Sequence, residues 1–342
     1  MLPSTSQRPR TVEDLLGPTL VGTLDRLDIV SQKLLAGKLP GERRSKRRGR
    51  SVEFADFRPY VAGDDLRHID WNILGRLDKL FVKLFREEED LSLHVIIDTS
   101  ASMDVGEPNK LVYACRLAAA LGYVGLVNQN RVTVSAIGLT PRIVDDGTAS
   151  LSAEPRKVLP PIRRLAPMRG RTQVRRLTDF ALELITDATK PERTARLTEE
   201  QHIEALRTLG TSSAGRGICV YISDMLGSLQ SLRGLSFLTG ATSGTYDTWC
   251  IQVLSPGELD PTSLAEAGLV GDLRLTDAET AKAVEVTISP ASIAQYKAGL
   301  STHNSAVKRA CLERGIAYAL VDTSTPVDQL VLSTLRRGGL LR

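Results

Sequence analysis

The sequence predicts a doubly wound α/β fold: a mostly parallel sheet with an N-terminal helical and extended region and a small β-hairpin appendage. Two observations carry this. From residue 91 onward, short runs rich in β-branched residues alternate with apolar-periodic stretches long enough to be helices. Strands that follow one another through helices need a parallel sheet covered on both faces. The 342 residues, 42% apolar and 25% charged, suffice for one large α/β unit with flanking segments.

Leu20, Leu24, Leu27, Val30, Leu34 and Leu35 recur at helical spacing, so a helix is expected over 19–36. Residues 38–50, KLPGERRSKRRGR, hold seven basic side chains and one acidic, and their Gly and Pro mark a loop. SVEFADFRPYVAGDD follows, then a short helix over 64–76 with Asp64 as its N-cap. KLFVKLFREEED reads as extended.

SLHVIID (92–98) is the first buried strand, 109–129 a strong helix and RVTVSAIG (131–138) the second strand. PRIVDD (141–146) is a candidate edge strand. Helices are expected over 150–165, 173–188 and 198–209, and buried strands at 217–223 and 245–254. Residues 268–289 alternate on both sides of a polar turn at 277–280, which predicts a hairpin. It is expected to pack beside the extended segment 79–86. A helix (290–314), a strand (316–322) and a last helix (326–337) close the chain. The expected organisation is 1–90, 91–255 and 256–342, with the last part completing the sheet.

The net charge of +4 hints at an anionic partner. The strap 38–50 alone carries +6, however, so the rest of the chain is mildly acidic. Cys115, Cys219, Cys250 and Cys311 form no C-x-x-C pair and sit in apolar patterns, which predicts buried free thiols. With no apolar leader at the start, a reducing, cytoplasmic setting is expected. The four histidines are isolated, which argues against a zinc site or a serine-type triad.

The chemistry concentrates where the first parallel strand ends, in VIIDTSASM. Asp98, Ser100 and Ser102 stand at a strand's carboxyl end, where open α/β sheets bind ligands. One carboxylate and two hydroxyls are hard oxygen donors suited to Mg²⁺ or Mn²⁺. Thr172, in MRGRTQV, and Asp224, in VYISDML, could complete the shell. With strand order 3-2-1-4-5-6, the strands ending in Asp98 and Asp224 are neighbours. Ser100, Ser102 and Thr172 are then expected as direct ligands, and the aspartates act partly through water. The competing reading is ordinary, since Ser and Asp after strands also cap helices and form turns.

At these residues a resemblance emerges. Residues 91–254 resemble a von Willebrand factor A (vWA) domain, and the five residues above resemble its metal-ion-dependent adhesion site (MIDAS). The stretch from Gly49 to Met103, with its block Gly63, Asp64, Asp65, Leu66, Arg67, His68, Ile69, Asp70 and Trp71, is similar to the DUF58 family. One departure is Gly170-Arg171-Thr172, where many relatives carry Gly-Gly-Thr; it is expected to bring a cation near the ion. The resemblance implies a non-catalytic partner or adaptor of a MoxR-type AAA+ ATPase, binding a partner's carboxylate through the ion.

Two motifs keep alternative readings. The block has a plain reading as a turn and short amphipathic helix burying Leu66, Ile69, Ile73 and Leu74. A sharper one makes Arg67, Asp70, Trp71 and Arg76 a docking network. The strap, with Arg43, Arg44, Lys46, Arg47, Arg48 and Arg50, is either a solvated loop or an anion contact for nucleic acid. Competing functions are therefore a nucleic-acid scaffold acting through the strap, or a Mg²⁺-dependent phosphoryl-transfer enzyme. The missing G-x-x-x-x-G-K-[ST] loop argues against the enzyme.

Overall fold

The computed structural model describes residues 8–31, 52–61, 64, 66–87, 91–138, 162–189, 198–212, 217–227, 231–239, 246–262, 271–276 and 283–342. The chain divides into two compact units: Met1–Gly37 with Leu91–Arg342, and Lys38–Asp90. Among the described residues, 8–31 and those after 255 fall in the unit that holds 91–255.

The smaller unit is an antiparallel pair, β1 (Val52–Pro59) and β2 (Phe81–Glu87), with the short helix α1 (Trp71–Leu77) between them in sequence. The helix starts later than expected because its cap is Asp70, whose Oδ1 accepts the N–H groups of Asn72 and Ile73. Asp64 instead closes a turn, accepting the Val61 N–H and pairing with Arg58 at 2.6 Å. The 79–86 segment pairs with β1 through β2, and the expected hairpin forms as β8 (Gly271–Thr276) with β9 (Ala283–Ile288).

The large unit is built on a six-stranded sheet: β3 (Ser92–Asp98), β4 (Arg131–Ile137), β5 (Ile162–Met168), β6 (Gly217–Ser223), β7 (Tyr246–Leu254) and β10 (Ala317–Asp322). Across the sheet the order is β10-β7-β6-β3-β4-β5, the 3-2-1-4-5-6 pattern expected. All neighbours are parallel except β5, which runs antiparallel to β4 at the edge. Residues 162–165 are thus strand, where a helix over 150–165 was expected. The rest of that span and the candidate strand 141–146 lie outside the described residues.

Alternation along each strand feeds two cores. Leu93, Val95 and Ile97 join Val132, Val134, Ile218, Val220, Ile251 and Val253 on one face. Ile96, Cys219, Tyr221 and Cys250 point to the other. Helix α2 (Lys110–Val127) lies against β3, β4 and β7 on the first face. It is apolar enough to cross a bilayer by composition, yet 83% of it is buried inside the fold. Helix α3 (Val174–Asp187) packs on it. The second face is covered by α4 (Glu199–Ser212), through Ala205, Leu206 and Leu209, and by α5 (Pro290–Glu313), through Val307 and Cys311. All four cysteines are buried and free.

The expected helix over 19–36 is broken. A helical turn covers Pro18–Leu24, after which the chain extends and Ile29 bridges to Leu341. Leu24, Leu27 and Ile29 are all buried, so the apolar spacing is satisfied by a helix end followed by an extended segment. This N-terminal segment runs along α2: Arg116 donates to the Leu15 carbonyl, Tyr123 to Asp25, and Asn128 to the Leu27 carbonyl.

Candidate functional site

Asp98 ends β3 and is 4% exposed. Its Oδ2 accepts the Ser223 hydroxyl at 2.7 Å and the Tyr221 phenol at 3.4 Å, both from β6. Its Oδ1 accepts the Ser100 N–H at 2.9 Å. That bond turns the chain so that Ser100 Oγ and Ser102 Oγ come within 3.1 Å of each other. Thr99 fastens the loop to β4, giving both its N–H and its hydroxyl to the Ile137 carbonyl. The fit depends on Gly138 at φ +113°, because a Cβ there would lie 2.8 Å from the Ser100 nitrogen.

Asp224 follows β6 directly and is 3% exposed. Its Oδ2 is paired at 2.9 Å with the ammonium of Lys110, the first residue of α2, whose side chain is fully buried. Lys110 also donates to Glu258 Oε1 at 2.5 Å. Glu258 Oε2 in turn accepts the N–H and the hydroxyl of Ser255, closing a capping box. Burial disfavours the Lys110 charge, but Asp224 and Glu258 outweigh it and hold the pKa above the ordinary lysine value. The two carboxylates and the ammonium together carry −1.

Tyr221 is pushed well above the ordinary tyrosine range, first by burial and then by Asp98, so it stays protonated and able to donate. Its oxygen also meets His202 Nε2 at 2.8 Å. When Tyr221 donates to Asp98, His202 is the donor in that pair. Through His202, the first turn of α4 connects to the strand end that holds Asp98.

Thr172 lies elsewhere. Because β5 is antiparallel, its last residue, Met168, pairs with Val132 at the start of β4, while the Asp98 end of the sheet is marked by Ile137. The loop leaving β5 thus emerges at the amino ends of the parallel strands. Arg171 shows the same: its guanidinium meets Tyr123 Oη at 2.8 Å and Asp25 Oδ1 at 3.0 Å. Tyr123 is near the far end of α2 from Lys110, and thirteen helical residues span roughly 20 Å. The structure brings together Asp98, Ser100, Ser102 and, through Ser223, the strand end of Asp224. It removes Thr172 from the set and Arg171 from its neighbourhood.

In the smaller unit, Asp70 caps α1 and pairs with Lys83 at 2.9 Å, while Trp71 is 63% exposed and Arg67 is exposed. Of the four apolar residues expected to be buried there, Ile69 is, Ile73 and Leu74 are half-buried, and Leu66 is 59% exposed. Gly63, Asp65 and the strap residues Arg43, Arg44, Lys46, Arg47, Arg48 and Arg50 lie outside the described residues.

A family model described as "Protein of unknown function DUF58" matches residues 56–306. The chain belongs to the DUF58 family. This DUF58 protein is 26% identical over 334 residues to the uncharacterized protein Rv1480 of Mycobacterium tuberculosis, a match covering 96% of this chain and 93% of that one. The uncharacterized protein Mb1516 of Mycobacterium bovis matches with the same figures. Among solved structures, BatB from Bacteroides thetaiotaomicron aligns at 12% identity and a TM-score of 0.37, over 72% of this chain and 98% of that chain. A von Willebrand factor type A protein from Catenulispora acidiphila aligns at 12% and 0.34, over 76% and 43%.

The Ser100 and Ser102 hydroxyls are hydrogen-bonded to each other at 3.1 Å, and hydroxyls with a carboxylate are donor types that a hard divalent cation takes. Among the described residues there is no group of three or more His, Cys, Asp or Glu side chains, so the donors on offer are hydroxyl and single-carboxylate oxygens. Sequence reasoning missed Lys110, Glu258 and the role of Ser223. Lys110 stands out only as a charge opening a helix whose one other charged residue is Arg116, and Glu258 only through its S-x-x-E capping spacing.

Proposed function

We propose that this DUF58 protein is a divalent-cation-dependent protein-interaction module and not an enzyme, and that it serves as partner or adaptor of a MoxR-type AAA+ ATPase or of that ATPase's client. The supporting observation is the convergence of Asp98, Ser100 and Ser102 at the carboxyl end of β3. Ser100 and Ser102 would hold Mg²⁺ or Mn²⁺, with Asp98 supplying the compensating charge. The bound ion would contribute Lewis acidity and an open position suited to a carboxylate from outside. The chain's own residues prepare that site. Ser223 and Tyr221 fix the Asp98 carboxylate, Thr99 pins the loop, and Gly138 lets it close. The partner's identity rests on the family resemblance.

The test is capture of a purified MoxR-type ATPase by wild type and Asp98→Ala, each with Mg²⁺ and with EDTA. Capture by wild type in Mg²⁺ alone is the expected result. Equal capture in all four arms refutes the ion's role.

A further inference from the structure

The buried lysine at this site has no part in the reading above. Lys110 is the first residue of an eighteen-residue helix, at the positive end of its dipole, where a cation is disfavoured. Its side chain is fully buried, another cost for a charge. A buried ion cluster of this kind is a poor stability device compared with apolar packing of equal volume. The lysine nevertheless sits on the carboxylate one residue beyond Ser223, the residue that holds Asp98.

We propose that Lys110 is a resident counter-cation that holds Asp224 for itself and so sets the affinity of the Asp98, Ser100 and Ser102 site for a divalent ion low. The inference rests on the reading of that site as an ion site. Asp224 Oδ2 is ion-paired with the ammonium at 2.9 Å, and Oδ1 accepts the Leu226 N–H at 3.3 Å, so its charge is already compensated within the fold. The ammonium adds a positive charge that repels a dication across the buried strand ends. Glu258 is the counterweight: it takes a share of Lys110 at 2.5 Å and is itself fixed by Ser255. An ion compensated by Asp98 alone among the carboxylates lacks a second anionic ligand, and a partner's carboxylate is of the right chemistry to supply it. Lys110 acts here as a positioning residue, since it governs the ion through Asp224.

The experiment is a Mn²⁺ titration of the full chain, read by the electron paramagnetic resonance signal of free Mn²⁺ and by the shift in melting temperature. Lys110→Met should tighten Mn²⁺ binding by about tenfold or more, because it removes the repelling charge and frees Asp224. Glu258→Gln, which leaves the ammonium to Asp224 alone, should weaken it. Lys110→Arg should stay near wild type. A merely structural role would move the first two variants in the same direction. If Lys110→Met does not fold, Lys110→Met/Glu258→Gln removes one charge of each sign and should still bind tighter than wild type. Unchanged or weaker binding in the folded Lys110→Met protein, or in the double variant, overturns the proposal. Asp98→Ala separates the two readings. If it binds Mn²⁺ as wild type does, the ion is not at this site and both fall. If it loses Mn²⁺ while Lys110→Met gains nothing, only the role of Lys110 falls.

Discussion

Ser223→Ala tests how Asp98 is held. The change takes the hydroxyl donor at 2.7 Å from Asp98 Oδ2 and leaves the Met225 N–H without its acceptor at 3.1 Å. Asp98 and Ser223 are 4% and 2% exposed, so water has no easy access to replace either bond. A hydrogen bond to a charged group contributes about 1.5–3 kcal/mol, and leaving a buried amide unpaired costs about 1 kcal/mol more. The expected loss is therefore about 3 kcal/mol. Tyr221→Phe is the comparison, because its bond to Asp98 is 3.4 Å long and correspondingly weak. Measured in a His202→Ala background, so that the 2.8 Å bond between the phenol and His202 does not enter, it should cost less, about 1 kcal/mol.

The assay is guanidinium denaturation in EDTA, so that no bound ion contributes, with both variants read as a change in midpoint at unchanged slope. A loss under about 1 kcal/mol for Ser223→Ala would refute the reasoning. So would a larger loss for Tyr221→Phe, which would make the phenol, and not the hydroxyl, the main support of Asp98.

Burial and then the charge of Arg164 push His94 down to about 3, where it stays neutral beside Ser135. The unfolded chain takes up a proton near pH 6.5 and the folded one does not. Stability should thus fall by about 1.4 kcal/mol per pH unit between roughly pH 6 and 4, and urea melts of His94→Gln should lack that slope. Gly217→Ala would place a Cβ 1.9 Å from the Ser92 carbonyl oxygen where β6 meets β3. The expected loss is about 3 kcal/mol or more in denaturant midpoint. Gly299→Ala meets nothing within 4 Å inside α5 and should stabilise by up to about 1 kcal/mol; destabilisation there would contradict the helix. Arg171→Ala and Thr172→Ala should leave Mn²⁺ affinity unchanged, since both residues sit at the other end of the sheet; a several-fold loss in either would return that loop to the site.

Most of the fold is legible in the sequence because it rests on local pattern. The near-continuous apolar, β-branched runs in SLHVIID, RVTVSAIG and GICVYIS mark strands buried on both faces, and their spacing through helices points to the parallel order in which the strand ending in Asp98 neighbours the one followed by Asp224. Direction at the edge is not local. IRRLAPM has few β-branched residues and a proline, as an edge strand tolerates. The sequence pattern puts the edge strand at 141–146 and reads 150–165 as a helix, so it assigns no strand directly before Thr172. The structure instead makes Ile162–Met168 a strand antiparallel to β4, with Ile162 opposite Ile137, so the loop that directly follows it, with Arg171 and Thr172, emerges at the opposite end of the sheet. One strand's direction thus decides whether Thr172 can be a ligand.

Charge pairing escapes a sequence reading for a related reason. Asp224 reads as a second carboxylate for an ion when only its own strand is considered. The residue that claims it, Lys110, is 114 positions away, and the residue that shares Lys110 is 148 positions from it. Composition counts these charges, but only the topology shows that the carboxylate expected as a metal's second anionic ligand is already paired with an internal ammonium. The mildly acidic body therefore offers an ion less than its carboxylates suggest. A partner carboxylate gains importance for the same reason, since it would make up charge that the chain keeps for its own lysine.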